Sequence, residues 1–195
     1  MGHREDLLEG AKRCLLEKGY ARTTARDIVA ASGTNLASIG YHYGSKEALL
    51  NLAFLKVTEE WGDAVGEESG VDPTAIADPY ERFEAVWGKV IGSYEDSRAL
   101  WKLQLEVISR IDDEPELRKA IAGPQQEGRS GLAENFQGID EKTEPEKART
   151  AGLVYQALLV GVMVQWLMDP GTAPSARDLT DGLRAIIGDD GHGPA

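Results

Sequence analysis

The sequence predicts an all-α protein, and three observations carry that reading. Apolar residues recur at helical spacing through nearly every long segment. Between these segments stand short clusters of Gly, Pro, Asp, Asn and Ser, the residues that cap or stop helices. No stretch stands out with the two-residue alternation of a half-buried strand, and no internal repeat is visible.

The elements follow in order. Leu7, Leu8, Ala11, Cys14 and Leu15 form one apolar stripe on a first helix that ends at Gly19. Thr24 with Asp27 three positions on reads as a capping box opening a short second helix, which stops at Ser32-Gly33. Asn35 caps a third short helix. Gly44-Ser45 ends it and caps a fourth, running from about Lys46 to beyond Trp61. The segment 69–79, with two prolines and a glycine, is the clearest boundary. Beyond it the spacing predicts helices over 79–95, 97–111, 115–135, 144–168 and 175–187, with Gly123-Pro124 expected to break or kink the third. The ending 188–195 has the composition of a disordered tail.

At 195 residues, with 42% hydrophobic and 28% charged residues, the chain is long enough to bury a core without metals or crosslinks. The single cysteine, Cys14, excludes an internal disulfide and sits on the apolar stripe as a core residue. The opening Met-Gly-His-Arg-Glu-Asp lacks a signal-peptide layout, so a cytoplasmic location is expected. A net charge of −12 argues against a polyanionic partner until its distribution is read. Residues 1–58 hold eight Lys/Arg against six Asp/Glu, a local excess of +2, so one end is suited to meet a polyanion and the other is not.

The spacing of residues 23–46 fits a helix-turn-helix: two short helices joined by a tight turn at Gly33, the second able to enter the major groove. Ile39 reads as its inward residue, with Tyr43 packing at the far end. Leu36, Ala37, Ser38, Gly40, Tyr41 and His42 read as outward. Small outward residues allow close backbone approach, a hydroxyl can bond base edges or phosphates, and a methyl can meet the thymine methyl.

The stretch Thr23-Thr-Ala-Arg-Asp-Ile-Val-Ala-Ala-Ser-Gly33, continued by Tyr41-His-Tyr-Gly-Ser-Lys-Glu-Ala-Leu-Leu50, resembles the TetR family of transcriptional regulators. The resemblance covers the first third of the chain. The sequence departs from the family pattern at Thr34, Leu36 and Gly40, where valine, a polar residue and an aromatic are usual. The resemblance implies a three-helix DNA-binding domain, residues 1–50, joined by a linking helix to a helical effector-binding and dimerisation domain, residues 51–190. It implies that Tyr41 and His42 contact the DNA backbone and a base edge, and that Lys46 and Thr24 hold phosphates at helix N-termini. Arg26 then faces the groove or backbone, Ala37 and Ser38 read bases, and Gly40 lies in the same contact row.

The resemblance further implies a homodimer through the helices 144–168 and 175–187. That dimer is a repressor released from a palindromic double-stranded operator by a small-molecule effector. The apolar run 151–168 is long enough to raise a membrane span, but Gln156 and Gln165 interrupt it, and a buried interface or core is the preferred reading. Trp87, Trp101, Gln104 and Tyr155 are candidates to line an effector pocket, although aromatics at helical spacing also suit plain core packing. An enzyme finds little support. Three histidines, two of them near the ends, offer no metal spacing, and no glycine-rich phosphate loop or nucleophile elbow is present, so no metal and no cofactor are expected. A protein-interaction module using the helix-turn-helix only as scaffold is the other rival.

Overall fold

Capping residues fix the helix ends. The computed structural model describes residues 2–67 and 75–188, and among these residues nine α-helices form: α1 (His3–Lys18), α2 (Ala25–Ser32), α3 (Leu36–Tyr43), α4 (Lys46–Glu67), α5 (Pro79–Gly92), α6 (Arg98–Arg110), α7 (Pro115–Gln137), α8 (Pro145–Met168) and α9 (Ala176–Ile187). The all-α expectation holds. Most of the boundary segment 69–79 and all but the first residue of the 188–195 tail lie outside the described residues.

Thr24 makes the capping box with Asp27, and Ser175 repeats the device with Asp178 at the start of α9. Asp78 accepts hydrogen bonds from the N–H groups of Tyr80 and Glu81, with Pro79 in the first turn of α5. The break expected at Gly123-Pro124 does not occur, and α7 runs through it. Proline removes one helical donor and leaves the Ala120 carbonyl without its helical partner, one turn before the exposed stretch 122–126.

The helices gather into two compact units that interleave along the chain. The first comprises Met1–Ala64 and Asp96–Glu127, the second Val65–Glu95 and Gly128–Ala195. In the first unit Leu7, Leu15, Ile28, Ile39, Leu49 and Leu50 form a core with Leu103 and Val107 of α6 and Leu117 of α7. The helix-turn-helix is therefore built against two helices distant in sequence. Glu106 of α6 accepts hydrogen bonds from the N–H groups of Tyr20 (3.0 Å) and Ala21 (2.7 Å), clamping the α1–α2 turn. Gly19 begins that turn at φ +83°, a conformation that favours glycine, and a Cβ there would also push aside the Glu106 carboxylate that clamps the turn.

In the second unit α5 packs on α9, with the Arg184 guanidinium 4.8 Å above the Tyr80 ring. Tyr94 and Trp166 meet at 5.4 Å between ring centres. Gly152 of α8 lies so close to the Arg129 carbonyl of α7 that a Cβ would overlap it, whereas Gly161 faces open space.

Candidate nucleic-acid interface

The starts of α2, α3 and α4 are each held by local polar residues. The Thr24 hydroxyl accepts from the Asp27 N–H (3.2 Å), and the Asp27 carboxylate accepts from the Thr24 N–H (2.9 Å). Lys18 reaches the same carboxylate at 2.6 Å. The Lys18 ammonium, followed by the Thr24 hydroxyl and N–H, holds the Asp27 carboxyl well below the usual carboxylate range. Asn35 caps α3 by accepting from the Ser38 N–H at 3.1 Å. Ser45 caps α4 by accepting from the Ala48 N–H at 3.0 Å.

With these ends fixed, α3 turns Ile39 into the core at 4% exposure and presents Leu36, Ala37, Gly40 and Tyr41 outward, Leu36 at 53% and Tyr41 at 86%. Ser38, expected outward, is buried at 9% exposure. It lies one position before Ile39, on the flank of α3 that the protein covers. His42 is half-buried and meets Tyr41 edge-on at 4.8 Å. Tyr43 packs against the core, and its hydroxyl donates to the Arg4 carbonyl at 2.5 Å.

The remaining predicted contacts lie around this face. Thr24 and Arg26 are exposed at the first turn of α2, and Arg26 makes no hydrogen bond or ion pair among the described residues. Lys46, in the first turn of α4, is half-buried; its ammonium lies 3.4 Å from the Thr23 carbonyl and 3.3 Å from the Glu47 carboxylate. Such long contacts leave it able to turn toward a phosphate. The structure thus brings Thr24, Arg26, Lys46 and the front of α3 into one helix-turn-helix.

Sequence reasoning missed the supports behind this surface. The Tyr20 hydroxyl donates to Asn51 of α4 at 2.6 Å, while its N–H is held by Glu106 and its ring lies 5.7 Å from the Arg110 guanidinium. Burial first, then nearby Glu114 and Glu47, push the Tyr20 hydroxyl above its ordinary pKa. One residue therefore ties the α1–α2 turn to both α4 and α6. No local pattern signals a partnership across 86 residues.

The four pocket candidates divide. Trp87 and Tyr155 belong to one aromatic cluster of the second unit. Phe83 lies 6.0 Å from each, and Phe136 lies 6.2 Å from Trp87 and 4.7 Å from Tyr155. The Tyr155 hydroxyl accepts from the Gln137 amide, and the Trp87 indole nitrogen is buried with no hydrogen-bond partner among the described residues. Trp101 and Gln104 sit three residues apart on α6, in the first unit, where Trp101 meets Trp61 edge-on at 4.6 Å. Among the described residues no group of three or more His, Cys, Asp or Glu is placed to hold a metal. One described helix, α8, is long and apolar enough to cross a membrane.

A capped helix-turn-helix with an open recognition helix, followed by a second helical unit, is the architecture of a DNA-binding regulator. Residues 7–53 match the bacterial regulatory proteins of the tetR family, and residues 79–187 match the C-terminal domain of BetI-type transcriptional repressors. The chain belongs to the TetR family of DNA-binding transcriptional regulators. Over 117 residues it is 31% identical to the HTH-type transcriptional repressor AcnR of Corynebacterium efficiens, a match covering 59% of this chain and 54% of that protein. The chain spans about half the length of that relative. A protein of Streptomyces coelicolor A3(2) described as a transcriptional regulator shares the fold with a TM-score of 0.71 and 25% identity, over 95% of this chain and 98% of that one. A regulator from Saccharomonospora viridis, solved in complex with choline, matches with a TM-score of 0.64 and 23% identity, over 96% of each chain.

Proposed function

We propose that this protein is a homodimeric repressor that occupies a palindromic operator and is released by a small-molecule effector. The observation that carries the reading is the recognition helix itself: α3 is anchored by Ile39 and leaves Leu36, Ala37, Gly40 and Tyr41 uncovered. An eight-residue helix reads only a half-site, so two copies are needed, with α3 helices one duplex turn apart, about 34 Å, or a multiple of it. Residues 1–50 are the DNA-reading part and 51–190 the effector and dimerisation part. Thr24, Arg26 and Lys46 hold phosphates, Tyr41 and His42 the backbone and a base edge, and Ala37 and Gly40 the groove floor. The inward turn of Ser38 leaves base reading to its neighbours.

Helices α8 and α9 supply the dimer surface. Val154, Met168, Ile186 and Ile187 are exposed apolar residues on them, and Gly161 leaves room for a partner helix. A second copy accounts for the apolar character of α8 without a membrane, and the protein acts in the cytoplasm, where its DNA lies. The relative named a repressor supports repression, and the relative solved with choline supports a small ligand. Trp87 and Tyr155 are the pocket residues favoured in the second unit, because a buried indole N–H without a partner is a donor open to a ligand.

A gel shift of the full chain with DNA flanking its own gene tests the reading. Retardation that a competitor of unrelated sequence does not abolish is expected, with a stoichiometry of two chains per operator. Binding indifferent to sequence would overturn it.

A further inference from the structure

The outward face of α3 is apolar. Leu36, Ala37, Gly40 and Tyr41 fall at i, i+1, i+4 and i+5, a single helical face, and only the Tyr41 hydroxyl among them can hydrogen-bond through a side chain. The other polar residues of α3 and its cap are less available, His42 being half-buried beside the Tyr41 ring. Ser38 is turned into the protein, and the Asn35 side-chain oxygen accepts from the Ser38 N–H. Asn35 therefore cannot turn its donor–acceptor edge fully to adenine without giving up the cap, and no Arg or Lys on this face offers the bidentate contact that recognises guanine. Leu36, at the first position of α3, still leaves 53% of its surface exposed where recognition helices enter the groove. A Cβ built at Gly40 would meet nothing within 4 Å, so at this position the backbone itself is the surface offered to DNA.

From these observations we infer that α3 reads the C5-methyl groups of thymine, with Leu36 and Ala37 as the specificity-determining residues and Gly40 permitting the close approach. The thymine methyl is the one apolar feature of the major-groove edge, and an exposed leucine is matched to it as a hydrogen-bonding side chain is not. This inference rests on the DNA-binding reading above. It adds that each half-site carries thymine at the base pairs under the front of α3.

The test begins by selecting duplexes from a random-sequence pool with the full-length protein. Each thymine of the selected site is then replaced singly by deoxyuridine, which keeps Watson–Crick pairing and removes only the methyl. At one or two positions per half-site the loss expected is about fourfold, the equivalent of about 0.8 kcal/mol per buried methyl. Leu36→Ala or Ala37→Gly should abolish the sensitivity at one of those positions; Leu36→Ala, at an exposed site, should leave thermal unfolding close to wild type, and Ala37→Gly should lower it only by the helix cost of glycine. Enrichment of a sequence in which every deoxyuridine replacement is neutral would overturn the inference alone. So would sensitivity that both variants retain at every position. A pool from which nothing is enriched would remove the DNA-binding reading and this inference with it.

Discussion

Glu106→Ala removes both acceptors that hold the α1–α2 turn. The Tyr20 N–H, part-buried, and the Ala21 N–H, exposed, donate to separate oxygens of that carboxylate. A hydrogen bond to a charged group contributes about 1.5–3 kcal/mol, and water replaces most of it where the donor is exposed. The Tyr20 contact therefore dominates. The expected destabilisation is about 2–3 kcal/mol, which for a chain of this length is a fall in Tm of about 4–12 °C.

Thermal unfolding of wild type and variant at one fixed protein concentration measures this, because self-association of the kind proposed would shift Tm by mass action. Amide hydrogen exchange supplies the local reading: Tyr20 and Ala21 should lose protection before the middle of α1 does. Glu106→Gln retains one acceptor oxygen and turns an amide donor toward the second N–H, so it should recover only part of the loss. A Tm within about 1 °C of wild type, with unchanged exchange at Tyr20 and Ala21, would refute the clamp.

Three further outcomes follow from the geometry. Gly152→Ala sets a methyl against the Arg129 carbonyl and should cost about 1–3 kcal/mol in urea unfolding, whereas Gly161→Ala, in open space on the same helix, should leave the fold unharmed and, on the proposed dimer, be read out in its dissociation. Asp27 has a carboxyl pKa below its unfolded value, so its contribution is present above about pH 4 and is lost as pH falls through the folded pKa. The urea midpoint should therefore fall less between pH 5 and pH 3 in Asp27→Asn than in wild type. Lys46→Ala should weaken binding to all duplexes alike and shallow the salt dependence by about one unit, as measured by titrations at several salt concentrations.

Much of the first unit was legible because its signals are local. Thr24 with Asp27, Asn35 and Ser45 each satisfy N–H groups within three residues, so the helix starts they imply need no knowledge of the rest of the chain. Ser38 shows where such reasoning stops. On α3 it is about 100° from Ile39, on a flank that periodicity alone leaves undecided, and only the packing of neighbouring helices covers it. Pro124 is a second case: the rule against proline inside helices is a free-energy penalty of about 3 kcal/mol, which tertiary packing of a 23-residue helix can outweigh.

The aromatic residues carry the same lesson further. Trp87 and Trp101 both lie on predicted helices, yet they belong to different units, because α6 packs with the helix-turn-helix through Leu103 and Val107. Periodicity says that a face is buried but not against what. The Glu106 clamp has the same origin: a carboxylate on α6 and two backbone N–H groups more than eighty residues earlier carry no mark of each other until the fold joins them. Because α6 shares a core and a charged clamp with α1 and the α1–α2 turn, a displacement of α6 shifts the frame that holds Thr24 and α3.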